Sequence, residues 1–507
     1  MTDQALICSG YQAMPYCIAV TPRRIQAGAV LTFKTRGIVM IFPEPIIQQL
    51  EMYPDHVVVE QEDNGRQISA AELLSMVRCL AAAMEDAGLG PGSRVVLILD
   101  VSPESLATYL AVYARGCLVI DIRPGYSEAQ LQFILGQGVD RVIDQQVVHE
   151  MLQTPERPLE LLARIDDTAH VAYTSGSTGQ PKGCSRTYRA VTDHWAVNAA
   201  RLSPELQEIA SRSQRFLLFG TLASIPIQDF SLLSLFHGGT LVIPRIDDTP
   251  LFPDVIARLN ITASLMNVPR LYQMLDTLRT RHCDLSSLKM LMVSGSPMSD
   301  HRLSEALDRL GPVVYFAYGQ TESNCIAMIT PDEIRQGRYG SVGRPLPHVQ
   351  VDIRDGEVYV HNELAAFEYW QKPELTREVF QDGWIRTRDC GYIKDGYLYL
   401  DGRARDVIMV NALPVYVGPI ERVLNNHPEI DEAFVVGAPD DKVGEAVHAF
   451  LIARDQPPDH ESIRTTVRQS LGDSSVPKSI HFVSSVPVMP SGKVDKKALA
   501  AQYLVDA

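Results

Sequence analysis

Residues 171–184 read Val-Ala-Tyr-Thr-Ser-Gly-Ser-Thr-Gly-Gln-Pro-Lys-Gly-Cys. The first three residues predict the end of a buried strand, and the hydroxyl residues and glycines that follow lack the bulk to pack in a core. Glycines let a backbone turn its N–H groups inward around an anion, and the Ser and Thr hydroxyls add further donors. Lys182 supplies a positive charge for a phosphate. The stretch therefore predicts a phosphate-binding loop rather than a flexible Gly/Ser linker.

This loop differs from the Walker A loop. Pro181 stands before the lysine, and the Walker A spacing of glycines is absent. The stretch instead resembles the phosphate loop of the adenylate-forming (ANL) superfamily, which contains acyl-CoA synthetases, adenylation domains of nonribosomal peptide synthetases and luciferases. The resemblance implies that Lys182 is catalytic. It also implies that ATP is bound by the following residues: Thr174, Ser175, Gly176, Ser177, Thr178 and Gly179.

A second motif, Tyr-Gly-Gln-Thr-Glu at residues 318–322, follows about 140 residues later. The face of Tyr318 can stack on adenine, and Glu322 offers a carboxylate to a Mg²⁺ that also bridges phosphate oxygens. In the superfamily, the threonine of this motif contacts phosphate and the glutamate holds the metal. The resemblance therefore implies that Thr321 and Glu322 are catalytic and that Tyr318 and Gly319 bind the nucleotide.

A third motif, Arg-Thr-Arg-Asp at residues 386–389, precedes an Asp-Gly turn that is typical of a hairpin. Asp389 matches the superfamily aspartate that accepts both ribose hydroxyls. The residue before it is usually glycine and is Arg388 here. A little further on, Arg403 matches an arginine that reaches ribose or phosphate.

The interdomain hinge of the superfamily corresponds to Arg405, where aspartate or lysine is usual. Ala412 stands where a glycine normally lets the backbone approach the arm of the thiol acceptor. Both departures bear on the thioester half-reaction and leave the adenylation motifs intact.

The last motif is Pro-Ser-Gly-Lys-Val-Asp-Lys-Lys at residues 490–497. A lysine on a glycine-flanked loop can enter an active site formed by another domain, although a solvated basic tail would read similarly. The resemblance implies that Lys493 is catalytic and bridges the substrate carboxylate and the α-phosphate.

Composition limits the partners. The chain has 507 residues, 46% hydrophobic and 21% charged, as is ordinary for a globular protein, and a formal net charge of −15. This charge argues against nucleic acid or an anionic membrane as the main partner. The eight cysteines lack disulfide or zinc spacing, and no run of 18 apolar residues occurs. We therefore expect a cytoplasmic protein with reduced cysteines.

Alternating strand and helix patterns up to about residue 320 predict an α/β fold with a doubly wound parallel sheet. The resemblance covers residues 41 to 500 and implies a large AMP-binding domain, 40–402, followed by a small mobile α+β domain, 403–507. Residues 1–39 fit neither domain. They are an added arm, an extra strand or the product of an upstream translation start.

The segment 215–242 aligns without gaps to the segment that grips the substrate in amino-acid-activating members of the superfamily. Members that activate α-amino acids carry an aspartate where this chain has Ile225. Asp229 stands one helical turn later on the same face. A displaced carboxylate suggests a displaced amine, as in the stand-alone enzymes that activate β-amino acids for macrolactam polyketide pathways. Alternatively, Asp229 is a surface or capping residue.

The same alignment implies further substrate-binding positions that are apolar or small, without an arginine for a second carboxylate. They are Met266, Met292, Ser294, Ala317, Cys325 and Ile326. We therefore expect a β-amino acid with an aliphatic or aromatic side chain, although the methionines would serve equally as core packing.

The resemblance implies an enzyme that uses ATP and Mg²⁺ to adenylate a carboxylic acid, releases pyrophosphate and transfers the acyl group to a thiol. A free acyl or peptidyl carrier protein is the expected acceptor. Three alternatives stay open: an acyl- or aryl-CoA ligase for an amine-free acid, an α-amino acid adenylation enzyme, and a non-catalytic nucleotide-binding protein.

Overall fold

The computed structural model describes residues 40–174, 180–247, 250–403, 406–411, 413–440, 442–489 and 494–504. Within these ranges a large α/β domain is followed by a small C-terminal domain, as the sequence predicts. The boundaries 40–402 and 403–507 remain predictions.

The strands of the large domain are, in chain order, β1 (Val57–Gln61), β2 (Gln67–Ser69), β3 (Arg94–Ile98), β4 (Leu118–Asp121), β5 (Arg141–Asp144), β6 (Thr168–Thr174), β7 (Lys182–Thr187), β8 (Arg215–Leu217), β9 (Thr240–Ile243), β10 (Ala263–Asn267), β11 (Met290–Ser294), β12 (Val314–Gln320), β13 (Asn324–Ile329), β14 (Arg344–Pro345), β15 (Val349–Arg354), β16 (Glu357–Asn362), β17 (Glu368–Tyr369), β18 (Phe380–Gln381), β19 (Trp384–Lys394) and β20 (Tyr397–Arg403).

Its helices are α1 (Glu44–Met52), α2 (Ala70–Asp86), α3 (Pro103–Ala114), α4 (Glu128–Leu135), α5 (Gln145–Met151), α6 (Tyr188–Thr192), α7 (Pro204–Arg212), α8 (Ile225–Phe236), α9 (Asp254–Arg258), α10 (Val268–Thr280), α11 (Asp300–Leu310), α12 (Pro331–Arg335) and α13 (Pro373–Val379). Helix α2 begins at Ala70, directly after the capping residue Ser69. Ser69 and Glu72 form a capping box that fixes its start.

Three sheets organise the large domain. The nine-stranded sheet has the order β14-β13-β12-β11-β10-β8-β9-β1-β2, and the six-stranded sheet has the order β17-β7-β6-β4-β3-β5. Strands β15, β16, β18, β19 and β20 form an antiparallel third sheet. The expected parallel pairing is found in the middle of both sheets and at the β5 edge of the six-stranded sheet, whereas the other edges are antiparallel.

The two main motifs lie where parallel pairing changes to antiparallel pairing. In the six-stranded sheet, β6 is parallel to β4 and antiparallel to β7, so that Thr174 pairs with Lys182 at the two ends of the phosphate loop. In the nine-stranded sheet, β12 is parallel to β11 and antiparallel to β13, and residues 321–323 form the turn between β12 and β13. Each motif is therefore a hairpin connection at the edge of a parallel sheet.

The small domain contains β21 (Val407–Val410), β22 (Leu413–Tyr416), α14 (Val417–Asn425), β23 (Ile430–Asp440), β24 (Gly444–Ala453), α15 (His460–Leu471), β25 (Ser479–Phe482) and α16 (Lys496–Tyr503). Its strands form one sheet in the order β22-β21-β24-β23, with β25 beside β24. Helices α14 and α15 pack on this sheet around a core of their own that includes Ile420, Leu424 and Ile463. No helix in the described part of the chain is both long and apolar enough to cross a membrane.

A cluster of ion pairs joins helices α10 and α11 of the large domain to the start of β23. Asp431 contacts Arg279 at 3.0 Å and Arg302 at 3.4 Å, and Arg454 of the small domain contacts the same carboxylate at 3.2 Å. Asp431 and Arg302 are both buried. Burial alone would raise the pKa of Asp431, but hydrogen bonds from His301 and Arg279 and the charge of Arg302 hold it well below its usual range. The cluster therefore places several desolvated charges between the two domains.

We expect Asp431→Asn to lower the free energy of unfolding by about 3 kcal/mol, because losing one partner of a buried ion pair leaves the others uncompensated. Urea unfolding followed by circular dichroism measures the change. Asp276→Asn, which alters a half-exposed carboxylate of the same cluster, is the matched control and should cost less than about 1 kcal/mol. Equal losses in the two variants would contradict a special contribution of Asp431.

Candidate functional site

A cavity of about 470 Å³ opens where β10, β11 and β12 end. Ligands in open α/β sheets commonly bind at the carboxyl ends of the strands, and the volume suits a small-molecule ligand. Of the residues singled out in the sequence, those on the wall of the cavity are Thr174, Lys182, Asp229, Met266, Met292, Ser294, Ala317, Tyr318, Gly319, Thr321, Glu322, Cys325 and Arg403. Residues from widely separated parts of the sequence thus meet at one place, which makes this cavity the candidate active site.

At one part of the site, Asp389 is surrounded by donors. Tyr318 Oη donates to Asp389 Oδ2 at 2.5 Å, Gln320 Nε2 donates to the same oxygen at 2.6 Å, and Arg403 Nε lies 3.3 Å from Oδ1. Burial raises the pKa of Asp389, while Arg403, Tyr318 and Gln320 act in the opposite direction. Asp389 itself is buried beneath these partners, which line the cavity. A ribose hydroxyl would reach this carboxylate by replacing or sharing one of these bonds.

The backbone explains two residues of these motifs. A Cβ atom on Gly319 would lie 2.4 Å from the carbonyl oxygen of Asn324, so that the close approach of β12 and β13 requires glycine there. Arg388 has a φ of 61°, in the left-handed region, which is the physical reason that glycine is usual at this position. The Arg388 side chain donates to Glu378 Oε1 at 2.7 Å.

Glu322 is held by a residue that the sequence analysis missed. Tyr369 Oη donates to Glu322 Oε1 at 2.7 Å, and Lys182 Nζ lies 5.6 Å from the centroid of the Tyr369 ring. Tyr369 reaches this position because β17 pairs with β7, with Tyr369 opposite Cys184. Burial and the nearby Glu322 carboxylate raise the pKa of Tyr369 far above its usual range, which keeps it a donor.

Glu322 also fits the single carboxylate that a nucleotide-borne Mg²⁺ requires. Among the described residues, no group of three or more His, Cys, Asp and Glu side chains is arranged to hold a metal ion. Mg²⁺ is commonly bound by one or two carboxylates together with substrate phosphates and water. Glu322 lines the cavity and accepts one hydrogen bond at Oε1, so that the donor set suits a metal that arrives with ATP.

Asp229 lies in α8 one turn after Ile225, as the sequence predicts, and both side chains line the cavity. Its side chain is 11% exposed, and among the described residues its closest polar partner is His194 Nε2, 3.5 Å from Oδ2. That distance is long for a hydrogen bond. Burial raises the pKa of Asp229 to about 7, against the opposing effect of Arg186. Asp229 is therefore a buried carboxyl group that faces a cavity with little compensation.

The wall near Asp229 is mostly apolar and aromatic. Trp195 and Phe230 contact each other edge to face at 5.5 Å between ring centroids, and both line the cavity. Neither was predicted, because the sequence pattern contains nothing that marks them. Further lining residues that the sequence analysis missed are Leu206, Leu265, Met328 and Leu346. This part of the cavity suits an apolar group.

One predicted substrate-binding residue does not line the cavity. Ile326 is fully buried in the main hydrophobic core and is not on the cavity wall, because neighbouring residues of a strand face opposite sides and Cys325 faces the cavity. The wall also carries an arginine, Arg123, whose Nε donates to the carbonyl oxygen of Ala223 at 3.3 Å.

Positive charge predominates around the cavity, although the chain as a whole is acidic. Five cationic side chains line it, compared with the two carboxylates Asp229 and Glu322. The cationic residues are Arg123, Lys182, Arg386, Arg388 and Arg403. This local excess favours a polyanion such as a triphosphate.

Several predicted positions lie outside the described residues. They are the loop residues Ser175, Gly176, Ser177, Thr178 and Gly179, the catalytic candidate Lys493, the departures Arg405 and Ala412, and residues 1–39. Their predicted roles remain predictions, as do those of the residues that line the cavity.

Comparison with known proteins agrees with this geometry. The chain matches the AMP-binding enzyme family over residues 46–158 and 139–365, and the AMP-binding enzyme C-terminal domain over residues 419–493. It is 29% identical over 491 residues to the fatty acid–[acyl-carrier-protein] ligase ScoC of Streptomyces coeruleorubidus, which covers 87% of this chain and 93% of that protein.

A feruloyl-CoA synthase of an Amycolatopsis species is 27% identical over 491 residues, covering 90% of this chain and 98% of that protein. Among solved structures, the amide bond synthetase McbA from Marinactinospora thermotolerans is 29% identical with a TM-score of 0.77, covering 90% of this chain and 99% of that one. The family matches span both domains and include most of the residues that line the cavity. The chain therefore belongs to the AMP-binding enzyme family and is an adenylate-forming ligase.

Proposed function

We propose that this ligase adenylates a β-amino acid with an apolar side chain, releasing pyrophosphate from ATP, and then transfers the acyl group to the thiol of a free carrier protein, with AMP as the leaving group. The observation that carries the substrate assignment is Asp229, a buried carboxyl group on the apolar part of the cavity wall. An ionised carboxylate in such surroundings is costly unless a cation or donors compensate it. A substrate ammonium group supplies both a positive charge and hydrogen-bond donors.

The position of Asp229 bears on which amine is recognised. A residue one turn further along a helix is displaced by about 6 Å along its axis. Ile225, at the first position of α8, offers no charge where α-amino acid enzymes are expected to carry one, and Asp229 does so one turn later. The substrate carboxylate must still meet the α-phosphate, so that an amine further from the carboxylate fits better than an α-amine.

The adenylation step is an in-line displacement. A substrate carboxylate oxygen attacks the α-phosphorus of ATP, the bond to the bridging oxygen breaks, and pyrophosphate leaves with the negative charge. The protein contributes mainly positioning and electrostatics. Asp389 would orient the ribose, Lys182 and the neighbouring arginines would hold the phosphates, and Thr321 would contact the α-phosphate. A Mg²⁺ held by Glu322 would supply charge neutralisation.

The carrier-protein acceptor rests on weaker support. The curated relative from Streptomyces coeruleorubidus is named as an acyl-carrier-protein ligase, whereas other relatives are named as CoA ligases. A carrier protein is consistent with the β-amino acid assignment. Radiolabelled substrate offered to a phosphopantetheinylated carrier protein and to CoA in parallel would separate the two acceptors.

ATP–pyrophosphate exchange with matched acids tests the substrate assignment. We expect exchange with β-amino acids, and Asp229→Asn should lower kcat/KM for them by roughly 30-fold, about 2 kcal/mol, because a charge-assisted hydrogen bond to the ammonium group is lost. The same variant should change kcat/KM for the amine-free analogue by less than about twofold.

Asp193→Asn is the matched control, since it makes the same chemical change close to the site but away from the cavity wall. It should leave both activities unchanged. Fastest exchange with an amine-free acid, unaffected in Asp229→Asn, would contradict the assignment and favour the acyl- or aryl-CoA ligase alternative. Fastest exchange with an α-amino acid would favour the remaining enzymatic alternative.

The pH dependence offers a second check. Because burial raises the pKa of Asp229 to about 7, the carboxyl group is largely uncharged below that pH and ionised above it. We therefore expect kcat/KM for a β-amino acid to rise between pH 6 and pH 8, by up to about tenfold per pH unit below the pKa. Exchange with the amine-free analogue should lack this rise, and equal profiles for the two substrates would contradict the role of Asp229.

A further inference from the structure

Asp229 also lines a second, smaller cavity. Its volume is about 20 Å³, and the lining residues that carry polar side-chain groups are Tyr113, Arg186, His194, Gln228 and Asp229. A polar cavity of this size has room for one water molecule, provided that the water finds two or more polar partners. The polar groups around this small cavity meet that requirement.

Arg186 brings an unused donor to the small cavity. The residue is 4% exposed, and its NH2 group donates to His170 Nδ1 at 2.9 Å. Its Nε atom is buried and has no acceptor among the described residues. A guanidinium group is always charged, and a buried donor without an acceptor is costly. An acceptor inside the small cavity would satisfy this donor.

Arg186 is also connected, through its hydrogen bond to His170, to the fully buried carboxylate of Asp121. Asp121 accepts hydrogen bonds from Tyr109 Oη at 2.5 Å, from His170 Nε2 at 2.7 Å and from Gln228 Nε2 at 2.9 Å. Because His170 Nδ1 accepts from Arg186, the proton of the neutral ring lies on Nε2 and points to Asp121. Burial lowers the pKa of His170, in keeping with a neutral ring. A continuous chain thus runs from Asp121 through His170 to Arg186.

We propose that Arg186 is a positioning residue for Asp229, and that one buried water in the small cavity accepts a hydrogen bond from Arg186 Nε and donates one to the Asp229 carboxylate. The chain Asp121–His170–Arg186 would then end at the substrate-binding carboxylate. The assignment of Arg186 rests on the geometry alone, and only its consequence for amine binding rests on the proposed function.

Among the described groups that face Asp229, Arg186 is the cation whose charge offsets the cost of burying the Asp229 carboxylate. His194, which follows α6, has a pKa well below its usual range through burial and the charge of Arg186. Tyr113 of α3 and Cys325 of β13 have raised pKa values, mainly through burial, and are uncharged near neutral pH. Arg186 of β7 is the group whose charge opposes the effect of burial on Asp229. It therefore keeps the carboxylate available for a substrate ammonium group near pH 7.

Titration of Asp229 in the ligand-free enzyme tests the proposal without any substrate. Carbon-13 labelling of aspartate side chains gives carboxyl resonances, and Asp229→Asn identifies the one that belongs to Asp229. We expect the titration midpoint to rise by about one pH unit or more in Arg186→Met, the scale of shift that a nearby charge produces. Arg186→Lys, which retains the charge, should stay closer to the wild type. An unchanged midpoint in a folded Arg186→Met enzyme would overturn the proposal.

A second variant covers the case in which removal of a buried arginine prevents folding. Val197 lines the small cavity and is buried, and Val197→Ile adds one methyl group that competes with the water while leaving the ion chain in place. We expect the midpoint to rise in this variant also, by about half a pH unit. A midpoint equal to that of the wild type would overturn the water bridge.

Exchange assays then separate this inference from the proposed function. If both the positioning role of Arg186 and the proposed function hold, Arg186→Met raises KM for the β-amino acid about tenfold at pH 7. The increase is much smaller at pH 9, where the Asp229 carboxyl group is ionised again. The KM of the amine-free analogue stays within about twofold. A shifted titration without exchange of any amine substrate would support the role of Arg186 and refute the proposed function. A shifted Asp229 titration midpoint with an unchanged KM at every pH would overturn the link between Arg186 and binding of the substrate amine.

Discussion

Replacing Glu322 with glutamine is expected to slow acyl-adenylate formation by on the order of 100- to 1000-fold. Charge develops on the phosphate oxygens as pyrophosphate leaves, and losing one preorganised group that stabilises such charge typically costs this much. Glutamine preserves the size of the side chain and one acceptor oxygen, so that the Tyr369 hydrogen bond can persist. The change therefore removes mainly the negative charge that would hold Mg²⁺.

Pyrophosphate exchange measured as a function of Mg²⁺ concentration checks this expectation, since a lost metal ligand should also raise the Mg²⁺ concentration needed for half-maximal rate. Tyr369→Phe is the informative companion variant, because it removes only the hydrogen bond to Glu322. We expect it to cost about tenfold, the value of one hydrogen bond to a charged group. A Glu322→Gln enzyme with the wild-type rate and Mg²⁺ dependence would contradict the assignment of Glu322.

The motifs predict much of the fold and part of the site, because each is a short local pattern with a specific backbone requirement. The strand end at residues 171–173 and the glycine at position 319 are examples: the first becomes β6, and the second permits the close β12–β13 hairpin. The parallel core follows from alternation of strands and helices. The antiparallel pairing of β6 with β7 and of β12 with β13 was not predicted, since the hairpins that create it contain the functional loops themselves.

Residues that reach the site through strand pairing between distant parts of the chain were not predicted. Tyr369 reaches Glu322 only because the two-residue strand β17 pairs with β7, nearly 190 residues earlier in the chain. Gln320 lies inside a recognised motif, yet its hydrogen bond to Asp389 depends on how β12 meets the third sheet. Ile326 does not line the cavity for a simpler reason, because it neighbours Cys325 on the same strand and the two side chains point in opposite directions.

Charge shows the same contrast between local and global features. The net charge of −15 predicts nothing about the cationic cavity, which arises when arginines from separate segments meet. The pairing of Asp121 with His170 and Arg186 is similarly invisible in the sequence, since the three residues lie on three different strands. Function in this chain thus depends on short motifs that are legible in sequence and on buried partners that become visible only in the fold.

Replacing Lys493 with alanine is expected to lower the rate of adenylation by on the order of 100- to 1000-fold while leaving ATP binding nearly unchanged. The lysine lies outside the described residues, in the segment that the superfamily resemblance assigns to the bridge between the substrate carboxylate and the α-phosphate. ATP binding should persist because the candidate nucleotide contacts, Tyr318, Asp389 and Lys182, belong to the large domain.

Isothermal titration of ATP and pyrophosphate exchange, carried out on the same preparations, separate binding from chemistry. Lys497→Ala is the matched control, since it removes an equal charge four residues away in the same segment, and it should change exchange by less than about twofold, as expected for an exposed charge. If the segment is only a solvated basic tail, the two substitutions should have the same effect on exchange. If Lys493 bridges the reacting groups, only its replacement should slow exchange. Full exchange in Lys493→Ala, or equal losses in the two variants, would therefore refute the assignment and leave the large domain to carry the adenylation chemistry alone.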